Sequence, residues 1–311
     1  MNTTKLRFLS ALHESSRERE RGGYSLIGAV GKKAARALIA AGLLFLLPDL
    51  RGALLVYEGF EYTAGTSIAG QAGGIGFGSN TWTETETTPG NLDTMGTGSL
   101  SYGSLTANGN RLQLNTPTAT GNSDQRNFTA QSGSNYPVMW AGFLINVQAA
   151  SLSSITNGYL QLRPNSGSGV GAYLGVFTDG GGNKVFGIGS NQSGFTTAFS
   201  SVSLALNTTY FLAARVTWNL SGAETIDLFV NPNLDGSGLT PAISTAALSI
   251  TLDRFARVGL VGGTTGTTWN YDEFRLGQSF AEIAPVPEPS TAMLLGWTVA
   301  FSFLWKRLRR G

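Results

Sequence analysis

Tyr210-Phe211-Leu212-Ala213-Ala214-Arg215-Val216-Thr217-Trp218 and, a short polar stretch later, Ile226-Asp227-Leu228-Phe229-Val230 decide the fold class. In the second segment Ile226, Leu228 and Val230 share one face while Asp227 and Phe229 share the other, the period of two that a strand imposes. The first mixes small and apolar residues throughout, as a central strand buried on both faces does. The same signals recur on either side. Leu112 and Leu114 alternate with Arg111, Gln113 and Asn115, and Leu160 and Leu162 with Tyr159, Gln161 and Arg163. Val138–Val147, Val170–Phe177, Lys184–Ile188, Phe255–Val261 and Trp269–Leu276 bring the count to about a dozen strands. Clusters of Gly, Asn, Ser, Thr and Asp separate them, with no helical stretch between and no repeat at roughly 20–50 residues. Residues 54–284 therefore read as an all-β, antiparallel β-sandwich.

Composition narrows the chemistry. The chain has 311 residues, of which 42 are Gly and only 13% charged. Its net charge of +2 is unevenly spread. Residues 1–53 hold nine Lys/Arg against four Asp/Glu, and residues 285–311 four against one; the middle keeps eight against fourteen. An acidic body lacks the basic stripe that a phosphate backbone needs, so no nucleic acid is expected as a partner. Cysteine is absent and the only histidine is His13. The middle thus holds no Ser-His-Asp triad, no Cys-His pair and no zinc site built on His or Cys.

Both ends carry an apolar run with basic flanks. Lys32, Lys33 and Arg36 precede the run 37–47, which Pro48 ends. This is the form of a secretory signal peptide within a leader at 1–53, implying the Sec machinery and signal peptidase as partners. At the other end Pro285-Val286-Pro287-Glu288-Pro289-Ser290 precedes an apolar helix over 292–305, and Lys306, Arg307, Arg309 and Arg310 follow. Fourteen helical residues span only ~21 Å, against a hydrocarbon layer of ~30 Å. Such a segment suits a temporary membrane stop. With Lys and Arg retained inside, the middle is expected to be exported.

The order of these C-terminal elements resembles the PEP-CTERM sorting signal of Gram-negative bacteria over 285–311. The resemblance implies recognition by exosortase, a membrane transpeptidase, with Pro287, Glu288 and Pro289 as the sorting motif and the four basic residues as its tail. It also implies inner-membrane anchoring by the C-terminal helix before processing, then delivery to the cell envelope or outside.

Within the middle, Tyr57-Glu58-Gly59-Phe60-Glu61-Tyr62, the stretch from Gly65 to Gln71, and Tyr271-Asp272-Glu273-Phe274-Arg275-Leu276-Gly277 resemble the opening and closing parts of concanavalin A-like, or LamG-like, jelly rolls. Residues 210–216 and 226–232 look like that fold's paired central strands. The resemblance implies that the closing strand returns beside the first.

Candidate sites are few. A glycosidase needs paired carboxylates. Glu224 and Asp227 are three apart and Asp272 and Glu273 adjacent, so a regular strand would direct each pair to opposite faces. No enzyme is expected. Asn231, Asn233 and Asp235 open an oxygen-ligand pattern that would admit calcium, though Ala242 stands where a bidentate Glu belongs; a strand-joining turn accounts for the same residues and is preferred. Asp179-Gly180-Gly181-Gly182-Asn183 reads as a hairpin turn. No cofactor is expected. Sugar rings pack on exposed aromatic faces, and Trp82 and Tyr136, in turn-rich surroundings, are the candidate glycan contacts; Trp140 and Trp218 read as core. Together these features describe an exported structural or adhesive protein of the envelope or extracellular matrix, holding polysaccharide. The alternative is a carbohydrate-binding module with a defined glycan, and a glycoside hydrolase or lyase comes last.

Overall fold

The computed structural model describes residues 54–84, 93–107, 109–116, 122–164, 170–191, 196–219, 221–244, 254–262 and 266–284. The expected leader (1–53) and sorting tail (285–311), including Pro287, Glu288, Pro289, Lys306, Arg307, Arg309 and Arg310, lie outside them. Among the described residues no helix is long and apolar enough to cross a membrane.

In chain order the first strands are β1 (Val56–Glu58), β2 (Thr83–Glu84), β3 (Thr94–Gly96), β4 (Ser101–Tyr102), β5 (Leu105–Thr106) and β6 (Arg111–Thr116). Longer ones follow: β7 (Asn122–Ser132), β8 (Val138–Ala149), β9 (Gly158–Arg163), β10 (Ala172–Thr178), β11 (Lys184–Ser190) and β12 (Thr196–Ser203). The chain then forms β13 (Thr209–Thr217), β14 (Thr225–Val230), β15 (Ile243–Ser244), β16 (Arg254–Gly262), β17 (Thr267–Gly277) and a one-turn helix, α1 (Phe280–Ile283). That helix, and a 3₁₀ turn at Leu152–Ser154, correct the expectation of no helical stretch.

Two large antiparallel sheets result, with β4 and β5 forming a separate two-stranded hairpin. One runs β15-β14-β13-β8-β17-β6-β3, with β1 also paired to β17; the other runs β12-β11-β10-β9-β16-β7-β2. Leu112, Phe143, Ile145, Leu212 and Trp269 of the first sheet share one core with Leu160, Leu162, Leu174, Phe186 and Leu260 of the second. This is a β-sandwich, because each sheet can bury its apolar face only against the other. β13 pairs β14 as expected, with Ala214 opposite Leu228. β1 lies against β17, Val56 opposite Leu276, so the two ends of the domain are joined.

The far side of the first sheet is also covered. Trp140, Leu144, Phe211 and Phe229 point away from the main core and pack with Leu100, Leu105 and the α1 residues Phe280 and Ile283. That second cluster is why β8 and β13 lack alternation: both of their faces are buried.

Candidate ligand-binding face

The outer side of the second sheet is different. Alternation in β9 sends Leu160 and Leu162 to the core and turns Tyr159, Gln161 and Arg163 outward, half-buried. Register carries the same surface across the neighbours. Tyr173 stands opposite Gln161 and Gly175 opposite Tyr159 on β10. On β16, Arg257 faces Arg163, Gly259 faces Gln161 and Val261 faces Tyr159. Beyond it β7 places Asn127 opposite Arg257 and Gln125 opposite Gly259.

Rings and amides organise this surface. Tyr159 stacks on Phe177 with centroids 5.5 Å apart and meets Tyr173 edge-on at 5.1 Å. Tyr173 and Phe177 are buried beneath it, so Tyr159 presents the accessible ring, with Phe199 of β12 exposed further out. Burial raises both phenol pKa values, partly offset by the Gln161 hydrogen bond and the charge of Arg163 at Tyr159. Both rings therefore stay protonated at neutral pH and act as neutral hydrogen-bonding groups. Arg257 donates through Nε to Asn127 Oδ1 at 2.8 Å and through a terminal nitrogen to Gln125 Oε1 at 3.1 Å. These bonds fix the plane of its fork. Burial, then the neighbouring Arg163 charge, lowers its pKa.

Glycine keeps the floor low. A Cβ on Gly175 would fall 2.6 Å from the Tyr159 Cα, one on Gly187 2.9 Å from the Phe177 ring, and one on Gly171 2.7 Å from Arg163 Cγ. Side chains there would fill the space the rings and guanidinium occupy.

The sequence-derived candidates lie elsewhere. Trp82 is a correction: it is 1% exposed, its indole N–H donates to Glu58 at 3.0 Å, and Phe60 and Phe77 pack on its ring. It offers no face to a sugar. Tyr136 is half-buried in the turn between β7 and β8, packed on the main core, with its backbone N–H bonded to Ser132 O. Trp140 and Trp218 are buried as expected, and so is Trp269.

Asn231, Asn233 and Asp235 form the turn after β14. Asn231 takes a positive φ of 52° and accepts the Phe211 N–H, Asn233 donates to Ser237 O, and Asp235 accepts the Ser237 N–H. These bonds engage one oxygen each of Asn231 and Asp235 and the amide nitrogen of Asn233 in closing the turn. Asp179 likewise accepts the N–H groups of Gly181 and Asn183 within the β10–β11 hairpin.

The adjacent carboxylates correct a second expectation. A bulge between Asp272 and Arg275, with Glu273 at φ 54°, breaks the alternation of β17. Both groups consequently serve the outer side of the first sheet: Asp272 accepts the Leu100 N–H, while Glu273 accepts the Tyr57 hydroxyl and Arg275. Asp227 is held by Arg215 at 2.9 Å.

Sequence reasoning missed Tyr159, Gln161, Arg163 and Arg257 as a group. The alternation of the first three in β9 is legible, but the neighbour that each meets, Arg257 of β16 among them, is set by register between distant strands.

No family model matches the sequence, and no curated protein matches it. Among solved structures it is similar to the globular domain of T. cruzi calreticulin at 13% identity and a TM-score of 0.46, covering 75% of this chain and 90% of that one. It is also similar to domain 4 of AbnA, a GH43 extracellular arabinanase from Geobacillus stearothermophilus, at 12% and 0.44, covering 75% and 98%. A third is the alginate lyase Aly36B at 15% and 0.37, covering 53% and 80%.

Proposed function

We propose that this protein is exported, processed at both ends as an exosortase substrate, and placed in the cell envelope or extracellular matrix, where its jelly-roll domain holds polysaccharide. The role is structural or adhesive, and not enzymatic. What carries the binding half of this reading is the outer side of β9, β10, β16 and β7. A half-buried aromatic ring, amide side chains and two guanidinium groups gather there over a glycine floor. Sugars are bound by that combination, a ring against their C–H faces and fixed polar groups at their rims. The sorting half is supported by the order of elements over 285–311.

Each half has its own test. Full-length protein presented to an array of bacterial polysaccharides is expected to show saturable binding that Tyr159→Ala weakens; a flat response across the array removes the binding role. A reporter carrying residues 285–311 is expected to stay membrane-held and uncut when Pro287, Glu288 and Pro289 become alanine. Unchanged processing would remove the sorting role.

A further inference from the structure

We infer that the domain has a second polysaccharide site, a row of amide and hydroxyl side chains on the outer side of the first sheet that receives an uncharged sugar chain lying across the strands. This rests on the polysaccharide-holding role above and adds a site and a ligand class to it.

The row follows from register. Ile68, Met95, Leu112, Ile145, Tyr210 and Trp269 belong to the main core, so alternation turns the residue beside each of them outward. Asn270 of β17 stands opposite Gln113 of β6 on one side and Asn146 of β8 on the other. Gln113 stands in turn opposite Thr94 of β3, and Asn146 opposite Thr209 of β13. Ser67, bridged to Thr94, extends the row by one more segment. Six adjacent segments thus contribute one amide or hydroxyl each, over ~24 Å at the usual strand separation. In the neighbouring row Asp272, Leu144 and Phe211 are buried, Asp272 bonded to Leu100 and the other two within the second cluster. Thr94, Gln113 and Thr209 are only half-buried, and Gln148, the next outward residue of β8, is exposed.

Hydrogen bonds brace this row without closing it. Asn270 Oδ1 accepts from Arg111 Nε at 2.8 Å and from Gln113 Nε2 at 3.0 Å, while its own amide donates to Asn146 O at 3.2 Å. Asn146 Nδ2 donates to Thr209 Oγ1 at 3.4 Å. Asn146 Oδ1 is left buried with no partner among the described residues, an arrangement that costs stability and calls for a donor. Gln113 Oε1 and the Gln148 amide have no partner among the described residues either.

The ligand class follows from what is open. Most of the open groups are acceptors, so the ligand must donate. A sugar hydroxyl donates and accepts at once, and a polysaccharide repeats such groups along a chain of this length. The row itself carries no charged side chain, so a polyanion gains nothing from it. Arg111, at its margin, is engaged by Asn270 and by the Thr97 and Gly98 carbonyls. A peptide extends a sheet by pairing along an edge strand, and does not run across six segments. The Tyr159 surface lies on the outer side of the other sheet, so a domain with both sites ties two chains together, as an adhesive component of a matrix must.

Full-length protein and its Tyr159→Ala variant would be titrated with barley β-glucan, galactomannan and dextran, all uncharged, and with carboxymethyl dextran. Tyr159→Ala removes the ring of the first face and is expected to keep saturable binding to at least one uncharged polymer. Adding Gln113→Ala and Gln148→Ala should weaken that binding about tenfold, through the loss of neutral hydrogen bonds. Unchanged affinity in that triple variant overturns the second site. If Tyr159→Ala binds no uncharged polymer while the unaltered protein does, the second site is overturned and the first reading stands. Binding of none of the three by either protein overturns it too, and the polysaccharide array still decides the first face. Carboxymethyl dextran held more tightly than dextran by Tyr159→Ala overturns the uncharged class. Should the triple variant fail to fold, Gln148→Ala added alone to Tyr159→Ala, at an exposed position, should weaken binding about threefold, and no change there overturns the site.

Discussion

Asp272 shows how one residue ties the sandwich to its covering. Its two oxygens accept the N–H of Leu100, at 2.8 Å, and the N–H of Glu273, at 2.9 Å, so the loop that carries the β4–β5 hairpin is pinned to the bulge in β17. Burial pushes this carboxyl up to about 8, with the Glu273 charge adding to the rise while the two N–H bonds and Arg111 oppose it. A raised folded-state pKa means that the folded protein keeps a proton which the unfolded chain releases above its ordinary value of 3.8. The contribution of the neutral acid is then complete at low pH and is lost as pH rises through about 8. The thermal midpoint is therefore expected to decline between about pH 4 and pH 8 and to level beyond it. Asp272→Asn, which stays neutral at every pH, should flatten that decline. A midpoint whose slope over this range is the same in both proteins would refute the assignment to Asp272.

At the level of elements, the sheets approach one another where a strand has shed its side chain. Gly158, the first residue of β9, lies under Trp269 of β17; an added Cβ would stand 2.5 Å from the indole ring, which is fully buried. A rigid ring cannot yield as a flexible side chain does, so Gly158→Ala should cost about 1–3 kcal/mol of stability in a urea titration. Gly180, in the β10–β11 hairpin, has nothing within 4 Å of its Cβ position and no positive φ, and Gly180→Ala should be neutral or slightly stabilising. Equal effects at the two positions would show that the sheets are not packed as closely as this. These contacts also explain how much of the fold could be read in advance. β9 and β14 announce themselves because one face is apolar and the other polar. β7 does not, since its inward positions include Asp124 and Arg126, both buried, and a strand that sends charge inward shows no hydrophobic period. β12 escapes for the opposite reason: it is a sheet edge of Thr and Ser with little to bury. Trp82 was misplaced because the turn-like sequence around it folds inward around Glu58, a partner 24 residues away. The proposed binding face depends on register, which no local pattern supplies: Arg163 and Arg257 are distant in sequence and are opposite one another only because β9 and β16 are neighbours.

Across the whole domain, the opening segment connects both sheets. β1 adds to the first sheet beside β17, yet Glu58 at its end reaches Arg126 of the second, at 2.6 Å, and also accepts the hydroxyl of Tyr62 and the indole N–H of Trp82. Arg126 completes the tie by donating to the backbone oxygens of Asn80 and Gly73, with its guanidinium 3.9 Å from the Phe77 ring centre. Both partners of this pair are buried. The pair itself adds little net stability, because desolvating two charges offsets most of their attraction. Losing one partner is another matter: an unpaired buried charge costs about 3–5 kcal/mol, against a total of about 5–15 kcal/mol for a domain. Residues 54–284 alone are accordingly expected to unfold in one cooperative transition, since the first and last strands close the structure on itself. A version beginning at residue 63 lacks β1, Glu58 and Tyr62, and should lose that transition or melt far lower. Glu58→Leu in the longer version should reproduce much of the loss, by stranding Arg126, while a double change with Arg126→Met should recover part of it. If the shorter version melts at the same temperature as the longer one, the opening segment is an appendage and the two sheets are held together by the apolar core alone.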